Sequence, residues 1–490
     1  MRAGAASLVV GLALVAAGCG GGGGGGNARP AAAKVVPASA PVLIALKTDF
    51  SSRQWRNALG LLRKFPGAPR LLHRASVESG HVNFEHDVKP ALGPEVDVVW
   101  LDFKNGGNDV VGLTQPKSKA KFKALIAKLD SSGDGRTFSE DVNGWAVVAD
   151  SKSKIEAFRR ASSGDKLDGV GEFKDAMSAL DDKAAVRAYV AGEPVQRELD
   201  RALDRSGSPP NLTRDLARME SISAAGLIEG NGVRADSALV TDPAPNPKTV
   251  SPTLAGSLPS GALLYVDTAD LAAPTRAILK LVGRSDPKFE TQLHQVETIL
   301  GASLEKDVYP LLSHEEAFAL YAAKPIPKIV FLAKAPDENR AREVLGHVLS
   351  LAKLSGTLDV TTSTVGGVEV NDVSEPGGGT HVLVAVGHGK LIVTTARDTL
   401  STLIEGKGPK LADDPLYKRA RADAKLPSKV VGMVYADLVH GLPFAFDLAE
   451  ANGSVVPPEA RTNTKPLSYA LLYAVQDGNR FRLSGFLTIK

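Results

Sequence analysis

Asp87-Val88-Lys89-Pro90-Ala91-Leu92-Gly93-Pro94-Glu95 recurs later in the chain as Asp307-Val308-Tyr309-Pro310-Leu311-Leu312-Ser313-His314-Glu315. Each copy reads as a helix end that turns into a strand, Val96 to Phe103 in the first and Ala317 to Ala322 in the second. The match continues downstream. Val111-Gly112-Leu113-Thr114-Gln115-Pro116 pairs with Phe331-Leu332-Ala333-Lys334-Ala335-Pro336, and a helix is expected after each. Phe122, Leu125, Ile126 and Leu129 fall at helical spacing in the first, and Leu345, Val348 and Leu349 serve the second.

Further on, Gly144-Trp145-Ala146-Val147-Val148-Ala149-Asp150 pairs with Gly389-Lys390-Leu391-Ile392-Val393-Thr394-Thr395. The closing hairpins agree as well, Leu227-Ile228-Glu229-Gly230-Asn231 with Val475-Gln476-Asp477-Gly478-Asn479. A repeat longer than roughly 200 residues means two duplicated domains and not a solenoid. The domains are placed at 35–243 and 257–490. A proline-rich link over 244–256 joins them, with Pro245 and Pro247 near its start and Pro243 just before it. The second copy carries an insertion of about 25 residues between Gly356 and Thr380, expected as a surface loop or hairpin.

Within each unit, strands and helices interleave and strands often come in adjacent pairs. That pattern predicts an α+β fold, a mainly antiparallel sheet covered by helices in each copy. The first helix illustrates the logic. Trp55, Ala58, Leu59, Leu62 and Phe65 form one apolar face, which is expected to pack on the sheet.

The beginning of the chain reads as an address. Arg2 and an apolar run from Ala5 to Ala17 precede Leu14-Val15-Ala16-Ala17-Gly18-Cys19, the pattern of a bacterial lipoprotein signal. The run is too short to span a bilayer core of about 30 Å. Residues 1–18 are therefore expected to be removed and Cys19 lipidated. Gly20 to Gly26, a run too flexible to pack, form part of a tether placed at 19–34.

Composition narrows the function classes. The chain has 490 residues, 43% hydrophobic and 23% charged, an ordinary balance for a globular body of two or more domains. A net charge of +3 gives no reason to expect nucleic acid as a partner. Cys19 is the single cysteine, so the body has neither disulfide nor thiol chemistry. Aromatic residues are only 5%, which weakens any base- or sugar-stacking role.

The pieces Val36-Pro37-Ala38-Ser39-Ala40-Pro41, Lys64-Phe65-Pro66-Gly67 and Asp87-Val88-Lys89-Pro90-x-Leu92-Gly93 resemble the bacterial family called domain of unknown function 3352. The resemblance implies a secreted or lipid-anchored protein. It carries over no catalytic residue.

Several constellations suggest chemistry and were weighed against simpler roles. Ser151 and Lys154 have the Ser-x-x-Lys spacing of a nucleophile and its base. The companion Ser-Asp-Asn and Lys-Thr-Gly elements are missing, so Ser151 is read as a helix N-cap. Asp130, Ser132, Asp134 and Asp141 fall in an EF-hand register, but a strand follows where a helix is required. An acidic connecting loop is the expected reading. His81 with Glu85 and His294 with Glu297 have ligand spacing on a helix, yet two ligands do not make a zinc site. Glu95 and Glu315 are a shared acidic pair, expected to be solvated or capping. Asn211-Leu212-Thr213 is a formal sequon with little meaning in a bacterium.

The sequence thus points to a lipid-anchored protein on the outer face of the cytoplasmic membrane. It is expected to be non-catalytic and cofactor-free, binding or scaffolding an envelope protein or a lipid. Carriage of an apolar ligand is the second reading. A serine hydrolase using Ser151 and Lys154 is the third.

Overall fold

The computed structural model describes residues 29–78, 82–132, 136–205, 217–286 and 288–490. The signal segment, Cys19, the glycine run, His81, Asp134 and the sequon at Asn211 lie outside the described residues.

The chain is α+β, and the 18 strands found among the described residues form one antiparallel sheet. The first half supplies β1 (Val42–Lys47), β2 (Glu95–Trp100), β3 (Val110–Thr114), β4 (Phe138–Val142), β5 (Trp145–Ala149), β6 (Val186–Ala191), β7 (Arg218–Glu229) and β8 (Gly232–Asp242). The second half supplies β9 (Leu264–Thr268), β10 (Glu316–Tyr321), β11 (Lys328–Lys334), β12 (Asp359–Val365), β13 (Val368–Ser374), β14 (Val382–Gly387), β15 (Lys390–Thr394), β16 (Gly432–Asp437), β17 (Leu467–Asp477) and β18 (Arg480–Ile489).

In the first half β1 pairs with β2 and β6, β2 with β3, β3 with β5, β4 with β5, β6 with β7 and β7 with β8. In the second half β9 pairs with β10 and β16, β10 with β11, β11 with β15, β14 with β15, β16 with β17 and β17 with β18. The extra segment of the second half forms the β12–β13 hairpin, which extends the sheet beyond β14. A separate sheet in each half was expected. Instead β8 pairs with β18 from Val240↔Arg480 to Gly232↔Thr488, and the sheet runs unbroken through both halves.

Helices cover the sheet unevenly. Those used below are α1 (Arg53–Leu62), α2 (Ala68–Glu78), α3 (Lys119–Ser132), α4 (Lys152–Ala161), α5 (Gly171–Ser178), α6 (Gly192–Arg205), α7 (Ala272–Ser285), α8 (Phe289–Leu300), α9 (Glu338–Ser355), α10 (Arg397–Glu405), α11 (Pro415–Ala424) and α12 (Leu438–Ala451). One face of the sheet is closed by α4 and α5 in the first half, through Ile155, Phe158 and Phe173, and by α10 and α11 in the second, through Leu400, Leu403 and Tyr417. The other face is covered in the first half by α1 and α3, and at the far edge of the second by α9.

The contrast between α1 and α7 sets up everything that follows. Ser52 caps α1, its side chain accepting from the Trp55 amide at 3.3 Å. The helix buries Trp55, Ala58 and Leu61, so Leu61 takes the place expected for Leu59. Phe50 stands edge-on to both Trp55 and Phe84, with ring centres 4.7 and 4.9 Å apart. Beneath them lie Leu46, Val186, Ile228 and Val233. The corresponding ladder positions in the second half hold Thr268, Gly432, Gln476 and Phe481. Apart from Phe481, that seat offers a helix no large apolar group. α7, which contains no aromatic residue, buries only Ala272 and stands away from the sheet against α8.

Candidate functional site

The shared glutamates are clamps, Glu315 buried and Glu95 half-buried. Glu95 Oε1 accepts from the Ala31 amide at 2.7 Å, the first residue of a 3-10 helix that precedes β1. Glu315 Oε1 accepts from the Thr253 and Leu254 amides at 2.5 and 2.7 Å, at the matching 3-10 helix before β9. Its Oε2 accepts from Thr253 Oγ1 at 2.6 Å and lies 2.6 Å from Lys334 Nζ. Burial would raise the Glu315 pKa, but Lys334, Thr253 and the two amides outweigh it, and the group sits below its ordinary value.

Each glutamate is joined by a fully buried aspartate. Asp97 follows on the same strand as Glu95, opposite Ala45, and neither of its oxygens meets a donor. Burial first, then the Glu95 carboxylate, pushes its pKa well above the ordinary range. In the second half the aspartate has crossed the ladder. Asp267 lies on β9 opposite Ala317 and accepts from the Tyr265 hydroxyl. Burial, reinforced by the Glu315 charge, holds it at about 8. The counter-cation also differs, Arg187 on β6 in the first half and Lys334 on β11 in the second. These sealed pairs fasten the chain to the sheet and offer no approach to a substrate.

The residues singled out for catalysis or metal binding do not converge. Ser151 occupies the N-cap position of α4 but does not cap it; its Oγ lies 3.0 Å from Ser153 Oγ. Lys154 Nζ donates to Asp150 Oδ2 at 2.7 Å and to the Asn108 carbonyl at 2.6 Å, so its charge is engaged away from Ser151. Asp130, near the end of α3, accepts from the Thr137 amide at 2.9 Å. Asp141, on β4, accepts from the Gly144 amide at 3.0 Å and pairs with Lys119 at 3.2 Å. The helix carrying Asp130 runs on through Ser132, and Asp134 lies outside the described residues. His294 and Glu297 sit 3.0 Å apart on α8, where Glu297 also accepts from the Leu304 amide. A depression of about 410 Å³ beside them is lined by Thr291, His294, Gln295, Thr298 and Ile299, all from α8. A single helix supplies every wall, which makes it an open surface and not an enclosed cavity.

The feature that stands out was not visible in the sequence. On the face that α7 leaves uncovered, one line of apolar side chains crosses six strands. Leu472 lies opposite Val434, Val434 opposite Val266, Val266 opposite Phe318, Phe318 opposite Phe331, and Phe331 opposite Val393. None of the six is buried, and Leu472 and Val434 are 41% and 37% exposed. At about 4.8 Å per strand the line is roughly 24 Å long. Leu483, 42% exposed, flanks it on β18, and Leu264, Leu320 and Ile329 form a half-buried parallel line. In the first half the same ladder positions hold Ala224, Ala188, Ile44, Val98, Gly112 and Val148. Large apolar groups therefore stand where cover is missing, and mostly smaller ones at the matching positions of the first half. This partly exposed apolar line is the candidate interaction surface.

Comparison with known proteins places the chain in a family and is silent on chemistry. Residues 125–468 match the family described as "Protein of unknown function (DUF3352)", and the chain belongs to that family. The pieces that carry the resemblance in the sequence, between Val36 and Gly93, lie before the matched stretch. No curated protein matches. Among solved structures, crystal form IV of TP0453 is 14% identical, covers 49% of this chain and 81% of its own, and superposes with a TM-score of 0.27. Crystal form III is 12% identical, covers 49% and 79%, and reaches 0.25. Likeness at this level transfers nothing to the present chain.

Proposed function

We propose that this chain is a non-catalytic binding protein of the bacterial cell envelope, held on the outer face of the cytoplasmic membrane by lipid on Cys19. It receives an apolar ligand along the line from Leu472 to Val393. That line is the observation that carries the reading. Its length and narrowness favour a lipid acyl chain, which makes carriage of a lipid the more specific form of the proposal. An apolar segment of an envelope protein fits the same chemistry less well, because a protein surface is broader than one row of side chains.

The absence of catalysis is supported by the separation of Ser151 from Lys154 and by the sealed carboxyl pairs. No cofactor enters the proposal, and neither does nucleic acid. The anchor is supported by the signal-like start at Arg2 to Cys19. Among the described residues no helix is long and apolar enough to cross a membrane.

An internal duplication accounts for the pairing order repeated in both halves. Asp87 and Asp307 support it, since both accept from the amide four residues earlier, Asn83 at 2.7 Å and Ser303 at 2.6 Å. Gly230 and Gly478 sit in the matching hairpins. On this reading the first copy kept its covering helix and the second became the binding half.

The test is titration with a fluorescent polyunsaturated fatty acid. Saturable binding that falls at least about tenfold in the double variant Val434→Asp, Leu472→Asp supports the site. Absence of binding by the unaltered chain, or equal binding by the variant, overturns it.

A further inference from the structure

We propose that α2 and α7 rest on an anionic lipid surface, so that the face bearing the apolar line looks toward the bilayer. α2 follows α1 in the first half, and α7 follows β9, the first strand of the second half, directly. α2 exposes Leu71, Leu72 and Val77 at 67%, 45% and 45%, and α7 exposes Ile278, Leu281 and Val282 at 59%, 41% and 39%.

Basic residues are interleaved with these apolar ones. The segment 53–78 contains Arg53, Arg56, Arg63, Lys64, Arg70 and Arg74 against the single acid Glu78. α7 contains Arg276, Lys280 and Arg284 and no acid. The whole chain carries a net charge of only +3, and within these basic segments Arg70 pairs with Glu459 at 3.8 Å and Arg276 with Glu305 at 3.0 Å. Helices with an apolar face and a basic flank lie in the interface of anionic membranes, where apolar burial and charge attraction act together.

The two helices also lie on one side of the molecule. Ser76 Oγ of α2 donates to the Val82 carbonyl at 3.0 Å, and Val82 packs with Phe122 and Leu125 of α3. α7 packs on α8 and α8 on α9, which closes over Leu391 and Val386 on the same face of the sheet. The occupant is named by the tether. Here the inference rests on the proposed anchor at Cys19. The ten residues from Cys19 to the first described residue, Arg29, reach at most about 35 Å even fully extended. A body on so short a lead meets the bilayer before any other surface.

The experiment uses the mature chain bearing Cys19→Ala, which has no acyl group, and vesicles of phosphatidylcholine alone or mixed with phosphatidylglycerol. The expected result is co-sedimentation with the mixed vesicles, weakened by salt. It falls by about tenfold in each of two surface variants, Leu71→Asp with Leu72→Asp and Ile278→Asp with Leu281→Asp. Circular dichroism of the variants should be unchanged, since every altered side chain is exposed. No binding to mixed vesicles, equal binding to both compositions, or unaltered binding by the variants would overturn the proposal. The fatty-acid titration separates this from the ligand site. A chain that takes up the fatty acid but ignores vesicles refutes the membrane contact alone. One that binds vesicles but takes up no fatty acid refutes the apolar site alone.

Discussion

Asp267→Asn tests the buried carboxyl pair of the second half. Asp267 is fully buried, accepts from Tyr265 and lies against Glu315. In the folded chain its pKa is about 8, against about 3.9 for an exposed aspartate. The folded state therefore holds a proton that the unfolded state releases. Stability contributed by the neutral group is present at low pH and is lost as pH rises from about 4 to about 8, after which the loss is complete. Between pH 5 and pH 9 this single group should withdraw on the order of 4 kcal/mol. Asparagine reproduces the protonated shape. Its amide donates to Glu315, its carbonyl accepts from Tyr265, and it does not titrate. Urea unfolding at pH 5, 7 and 9 should show the variant gaining on the unaltered chain as pH rises, by roughly 4 kcal/mol across that range. Glu316 is likewise held near 8 by burial, so the difference between the two proteins, and not the slope of either, is the quantity to read. A difference that stays within about 1 kcal/mol across the range would refute the protonated pair.

Two further outcomes are expected. Cys19→Ala should release the protein from membranes after a high-salt wash, and a variant that still sediments there would disprove the lipid anchor. A fluorophosphonate or penicillin probe should give no labelling that depends on Ser151, because Lys154 is bound to Asp150 and the Asn108 carbonyl; labelling abolished by Ser151→Ala would restore the hydrolase reading.

Much of the architecture was legible because turns and strand starts repeat. The Asp87 and Asp307 segments fall in matching helical turns that run into β2 and β10. The extra segment after Gly356 is the expected hairpin. One match was off by a residue: Val96 faces Thr114 while Glu316 faces Ala333, so Thr114 corresponds to Ala333 and not to Lys334. Side-chain similarity between two apolar strands cannot fix register where a neighbouring loop has changed length. The joining of the sheets by β8 and β18 was hidden for another reason. Edge pairing is backbone chemistry, and neither strand advertises its partner.

The candidate site was not legible at all. Leu472, Val434, Val266, Phe318, Phe331 and Val393 are scattered over β9 to β17 and come together only through ladder register. Each reads as an ordinary core residue. What exposes them is the seat at Thr268, Gly432 and Gln476, which offers α7 no large apolar group to rest on. Glu95 and Glu315 were visible as a pair, but their aspartate partners were not, because Asp97 shares the strand of its glutamate while Asp267 stands on the strand opposite the one that Glu315 leads into.

The most direct test of the central claim is mass spectrometry of lipids that co-purify with the chain from detergent-solubilised envelope. The unaltered protein is predicted to carry non-covalent lipid in near-stoichiometric amount, and the Val434→Asp, Leu472→Asp variant to have lost it. An unaltered protein free of such lipid, or a variant that retains as much, would contradict the account.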